Sequence, residues 1–333
     1  MASKQNPVYT VYAVSGSTKY NLTPAIVSLD MSDQENQISK SVRIALVNIK
    51  VGDSWLTNIL KLRDRVFIHA DDGERNEEVW RGFIWTRSYK SSLDGFDFEL
   101  KCYDNLIYFQ ESEESEFFEA GKSTEAVISA LCSKWGVSLS YSYESITHSK
   151  LALRGNLADI ITADVLDLVK DRTGKKYVVL SDKDVVQVKP VGSNSTVYTL
   201  QSKKNAIYSS FDETMDGMVT KVVILGKADD DDRTPVEATV KGNTDQYGTL
   251  QKLKNRDENT ALADAKKEAQ KIIDEDGKPK WEGTVRTIDI PWIRKGDKVL
   301  AKAGALTTYY IVNGIERDIT NDAKQMTLTL VEV

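Results

Sequence analysis

Gly121-Lys122-Ser123-Thr124 ends like a phosphate-binding loop, in which backbone N–H groups and a lysine would cradle a nucleotide's phosphates. The full pattern needs another glycine five positions before Gly121, where Glu116 stands, and an apolar strand ahead of it, where the chain is acidic. Phosphate would be repelled, so the tetrapeptide reads as a helix cap. Asp229-Asp230-Asp231-Asp232 offers the oxygen ligands that gather Ca²⁺, but it lacks the alternating positions and loop glycine of an EF-hand and reads as a surface turn. His69 and His148 have no acidic or cysteine partner at ligand spacing, which argues against zinc and against a histidine-based triad. Cys102 in an apolar strand and Cys132 in a helix read as small core residues. Among 50 Asp and Glu, some pair will fall at the spacing for glycoside hydrolysis by accident, so none is singled out. No catalytic, cofactor-binding or metal-binding residue is assigned, and the chain is expected not to be an enzyme.

The elements that would position any chemistry are mostly strands. Residues 8–14, 25–29, 41–50, 65–70, 79–87 and 96–103 are rich in Val, Ile, Phe, Tyr and Trp and are separated by polar breaks such as Asp71-Asp72-Gly73. Six short strands at this spacing predict a small closed or split barrel over 1–105. Glu111, Glu113, Glu114, Glu116 and Glu119 then read as a solvated connection. Two helices follow, one capped by Ser123 or Thr124 and ended by Gly136, the other from about 157 to 172 and stopped by Gly174. A hairpin comes next, turning at Ser181-Asp182-Lys183-Asp184, so 106–194 reads as a small α+β domain. From 195 to 333 strands return, interrupted by a helix at about 260–276 capped by Thr260. The expected fold is mainly β with an α+β middle: two similar small β-barrel domains flanking a small α+β domain.

Composition bounds the partners. With 333 residues, two or three globular domains fit. No apolar run approaches the roughly 20 residues of a membrane-spanning helix, so no membrane insertion is expected. The 44 basic and 50 acidic residues give a net charge of −6, and no window is rich in Lys and Arg, so no specific nucleic-acid binding is expected. Two cysteines and a start without an apolar signal core suggest folding in a reducing cytoplasm.

A weak internal repeat links the two β regions. Asp64, Gly82 and Leu100 at the front meet Asp297, Gly314 and Leu330 at the end, at spacings of 233, 232 and 230 residues, the pattern of a duplicated unit. Two strands also carry large apolar groups on both faces. They supply the predicted subunit or domain interface: Val79, Trp80, Phe83, Ile84 and Trp85 in one, Tyr309, Tyr310, Ile311 and Val312 in the other. A second covered face requires another domain or another subunit.

In the order of its motifs the chain resembles a phage tail baseplate hub protein of the PBSX-like XkdQ/YqbQ family. The motifs are Leu157-Ala158-Asp159-Ile160-Ile161, Thr173-Gly174-Lys175-Lys176-Tyr177, Tyr247-Gly248-Thr249-Leu250-Gln251, and Ile290-Pro291-Trp292 leading into Lys295-Gly296-Asp297-Lys298-Val299. The resemblance implies a homotrimeric hub in a contractile tail or tailocin, between a six-fold tail tube and a three-fold spike. It also implies the tube protein, the spike protein, the tape measure and a LysM-type baseplate protein as partners, and a place in the tail baseplate of the virion or tailocin. Three chains with two similar barrels each would present six quasi-equivalent modules in a ring. The competing reading is a module that binds or cleaves cell-wall peptidoglycan, its aromatic strands serving as a sugar platform. A third is a ligand-binding protein with an apolar pocket.

Overall fold

A computed structural model describes residues 6–92, 95–227, 233–257 and 260–333; the Asp229 to Asp232 run lies outside them. The chain forms two compact units, Met1–Ser210 with Gly283–Val333, and Phe211–Glu282. The fold is mainly β, and one thirteen-stranded sheet draws strands from both the front and the end of the chain.

Strands form where apolar residues alternate, because successive side chains of a strand point to opposite faces. In Val8–Ser15 the residues Tyr9, Val11 and Ala13 are buried, and the strand lies antiparallel to Arg65–Asp71, which buries Val66, Ile68 and Ala70. The same cluster takes in Leu29, Met31, Val42, Ile44, Leu100 and Cys102, so the front part of the sheet wraps one apolar core. Among the described residues the ladder is an open path that does not close on itself.

Five front strands have counterparts at the end of the chain. Ile26–Asp33, Ser41–Leu46, Gly95–Tyr103, Asn76–Ser92 and Arg65–Asp71 lie side by side in that order. So do Ala206–Thr214, Lys280–Ile288, Lys324–Glu332, Tyr309–Thr320 and Lys298–Lys302. The register matches as well. Ile84 faces Cys102 and Thr86 faces Lys101 across a bulge at Trp85; Val312 faces Leu330 and Gly314 faces Thr329 across a bulge at Asn313. Before the bulges, Arg65 faces Phe83 as Lys298 faces Ile311. The strands flanking these sets differ: Val8–Ser15 runs antiparallel to Arg65–Asp71, whereas Thr199–Gln201 runs parallel to Lys298–Lys302. The two sets join inside the sheet, where residues 315–320 pair antiparallel with residues 28–33.

Between the two β regions, residues 106–190 build their own apolar cluster from Leu106, Phe109, Ile128, Leu131, Ile161, Val165 and Val188. The Ser123 hydroxyl accepts from the Ala126 N–H at 3.2 Å and caps the helix Thr124–Lys134. The second helical stretch continues from Leu157–Asp159 through a π-helical segment, Ile160–Leu166, into Asp167–Thr173, and ends at Gly174 in the left-handed conformation. The strands Tyr177–Asp182 and Val185–Pro190 pair across a turn in which Lys183 and Asp184 both have positive φ.

Two local expectations change. The glutamate run is not a solvated connection: Glu113–Phe118 is a strand paired with Leu151–Asn156. Its alternate residues Glu114 and Glu116 both bind Lys134, and Glu114 also accepts from Trp135 Nε1, so the acidic charge is answered across the fold. In the second unit, the helix Leu262–Asp276 is capped at Ala261 rather than Thr260 and has no side-chain cap. Ala265, Ala269 and Ile273 of that helix bury Val222 and Ile224 of the central strand Lys221–Leu225, which pairs with Val236–Lys241 and Gln251–Asn255.

Candidate functional site

The matched strands are held by matched turns. Lys61 N donates to Asp64 Oδ2 at 2.8 Å and Arg63 N to Ile84 O at 2.7 Å, while Ile84 N donates to Asp64 O at 2.9 Å. At the other end Arg294 N donates to Asp297 Oδ2 at 2.9 Å and Gly296 N to Val312 O at 2.7 Å, while Val312 N donates to Asp297 O at 2.8 Å. Arg63 and Gly296 occupy equivalent places with φ of 70° and 83°, a conformation glycine adopts freely and arginine only under constraint. Arg87 donates to Thr57 O in the helical turn Leu56–Ile59, and Arg317, two places further along its own strand by the matched register, donates to Ile290 O at 3.3 Å. Asp64 and Asp297 therefore do the same work. The bulges, however, make Gly314 the counterpart of Thr86 and Gly82 the counterpart of Tyr310, four residues from the alignment of Gly82 with Gly314 read in the sequence.

Where the two sets meet, charge is buried and paired. Arg317 Nε lies 2.9 Å from Asp289 Oδ1, its Nη2 donates to Ile293 O at 2.7 Å, and Tyr9 donates its hydroxyl proton to Asp289 Oδ2. Burial, then the Asp289 charge, holds the Tyr9 hydroxyl well above its ordinary pKa. Lys295 Nζ lies 2.9 Å from Asp33 Oδ1 and donates to the carbonyls of Gln34 and Gln37. Next to this network is a polar cavity of about 290 Å³ bordered by Lys40, Asp104, Arg81 and Arg294. Burial pushes the Asp104 carboxyl up to about 7, against hydrogen bonds from Ser39 Oγ and from the N–H groups of Lys40 and Leu106. Burial, then repulsion from Arg317, brings the Lys40 ammonium down to about 7. Asp104 ties the segment ahead of Ser41–Leu46 to the one after Gly95–Tyr103, and the polar cavity is not the apolar pocket of a ligand-binding protein.

The predicted interface residues are largely used within the chain. Trp80, Ile84, Tyr310, Ile311 and Val312 are buried, and Val79 packs against the front core. Phe83 meets Tyr108 edge-on at 5.7 Å, and Trp85 meets Tyr103 and Tyr108 edge-on at 6.2 and 5.8 Å. Asp184 binds Arg65 at 2.5 Å and Arg81 at 3.3 Å, adding the tip of the 177–190 hairpin to the same covered face. The second face of the Val79 to Trp85 stretch is thus covered by the middle region. Of the nine residues, Trp85 and Tyr309 stay substantially exposed, 40% and 49%.

The two cysteines and His148 are enclosed, whereas His69 is only partly buried. Cys102 and Cys132 are buried free thiols, both raised by burial, Cys132 to about 12, which leaves no thiolate at neutral pH. His148 is buried with Nε2 2.9 Å from Thr124 Oγ1, and burial lowers its pKa. Among the described residues no group of three or more His, Cys, Asp or Glu could hold a metal ion, and no helix is long and apolar enough to cross a membrane.

The surface has two sheet margins that sequence reasoning did not single out. Ala206–Thr214 ends the strand path and exposes Ile207 and Tyr208. Among the described residues, 87–92 of Asn76–Ser92 pair with Gly95–Tyr103 on one side only, since Arg65–Asp71 accompanies that long strand only as far as Phe83. Both margins become visible only once the pairing of the whole sheet is known.

A family model described as YQBQ-like matches residues 59–331. No curated protein matches the chain. Among solved structures, the chain is similar to the 43 kDa tail protein of prophage MuSo2 from Shewanella oneidensis, with TM-score 0.71, 11% identity and 98% of each chain covered. It is also similar to the tail protein from Neisseria meningitidis MC58, with TM-score 0.70 and 14% identity over 97% of this chain and 96% of that one. The c3393 protein of E. coli, a component of the type VI secretion system, gives TM-score 0.56 and 9% identity over 93% of this chain and 74% of that one.

Proposed function

Because this chain belongs to the YQBQ-like family, we propose that it is a structural, non-enzymatic hub of a phage tail or tailocin baseplate. In this reading three copies form a ring that adapts a six-fold tail tube to a three-fold spike and leaves a central channel. Residues 1–105 and 195–333 supply two barrel-like modules, and residues 106–194 form the domain between them. The partners are further copies of the chain, the tube protein and the spike protein, with the tape measure and a LysM-type baseplate protein as neighbours along the tail axis.

The observation that carries the reading is the match of five strands at the front with five at the end, in order and in register. A ring with six similar docking positions and three-fold symmetry needs two similar units per chain. The fold it shares with solved tail proteins points the same way.

Sedimentation velocity tests it. The expected species has three times the 37.3 kDa of one chain, alone or after the spike is added. A chain that stays monomeric and binds neither spike nor tube at micromolar concentration overturns the proposal.

A further inference from the structure

The internal junction supplies a template for a junction between copies. Residues 315–320 of the end-half long strand are covered by residues 28–33 of the front half. By the matched registers, residues 87–92 are the front-half counterpart of 315–320. The counterpart of Ile26–Asp33 is Ala206–Thr214, and its register is fixed by a shared bond: Val47 N donates to Ala25 O at 2.8 Å, and Ile288 N to Asn205 O at 3.2 Å. The chain therefore makes this pairing once within itself and carries both halves of a second such pairing apart, one on each module.

The exposures agree with a pairing left unmade. Arg317, on the covered strand, is buried, whereas Tyr89, its counterpart, is 51% exposed. Leu29 and Met31 are buried, whereas in Ala206–Thr214 every residue is exposed or only partly buried. A sheet margin that displays Ile207 and Tyr208 is a ready template for another strand.

We propose that a second copy of this chain lays residues 208–213 antiparallel along residues 87–92 of the first, repeating the internal junction between residues 28–33 and 315–320. The contact is head-to-tail, since the two margins differ, so each copy receives one neighbour and is received by another. Internal and external junctions then alternate around the ring. The inference rests on the ring reading given above and specifies how that ring closes.

Cysteine pairing tests the register. Asp318 faces Asp30 in the internal junction, and the corresponding external positions are Lys90 and Ser210. The variants K90C and S210C, each alone and then mixed and oxidised, are run on non-reducing gels; Cys102 and Cys132 are buried and do not compete. The mixture is expected to give at least about tenfold more cross-linked dimer than either variant alone, because only opposed positions bring the sulfurs within bonding reach. A mixed control of K90C with S193C, on an exposed turn outside the margin, should stay uncross-linked. Oligomers of the expected mass without the K90C–S210C product overturn the edge pairing and leave the ring intact. Monomer throughout, with no cross-link, overturns both.

Discussion

A β-carbon on Gly82 would sit 2.1 Å from Tyr103 O and 2.6 Å from the Trp80 ring, inside a pairing that cannot open without shifting the neighbouring strand. At Gly314 the nearest atom to such a carbon is Thr329 Oγ1 at 3.3 Å, the end of a side chain. G82A is expected to cost more than about 2 kcal/mol, and G314A no more than about 1 kcal/mol, in chemical denaturation followed through the sheet-containing unit. Equal losses would mean that the two glycines occupy equivalent places after all. Sequence showed that both positions hold glycine in a strand setting. It could not show that the Trp80 ring folds over one of them, because that contact depends on how the strand faces its own core. Asp64 and Asp297 were legible for the opposite reason, since each bonds a backbone N–H three residues away and the partner is fixed by local spacing.

Among elements, the junction between residues 28–33 and 315–320 is where the two β regions become one sheet. Arg317 lies on it, buried, neutralised by Asp289 and bonded to the loop carbonyls ahead of Lys298–Lys302. R317A would strand a buried carboxylate, so it should lower stability by about 3–5 kcal/mol in guanidinium titration. A loss below about 1 kcal/mol would mean that the network is dispensable to the junction. Alternation alone located most of the strands. Misreadings came where composition and tertiary context disagree: Glu113–Phe118 is acidic enough for a linker, yet Lys134 and Trp135 on the helix beside it make a strand tenable.

At the scale of the whole molecule, the two units have separate apolar clusters, Val222, Ile224 and Ala269 in the smaller and Val11, Ile44 and Leu100 in the larger. Hydrogen exchange is expected to resolve two cooperative blocks, with amides of Lys221–Leu225 exchanging on a different free-energy scale from those of Arg65–Asp71. A single shared opening energy would show one folding unit. The mainly β class, the middle helices and their stops, and the likeness of Asp64 to Asp297 were legible along the chain, because they depend on local alternation, capping and spacing. The pairing of strands across the two regions, the covering of the aromatic faces from within, and the edges at residues 87–92 and Ala206–Thr214 emerge only in three dimensions. Those outcomes depend on hydrogen bonds between residues hundreds of positions apart, and a strand's own composition does not name the strand it will meet.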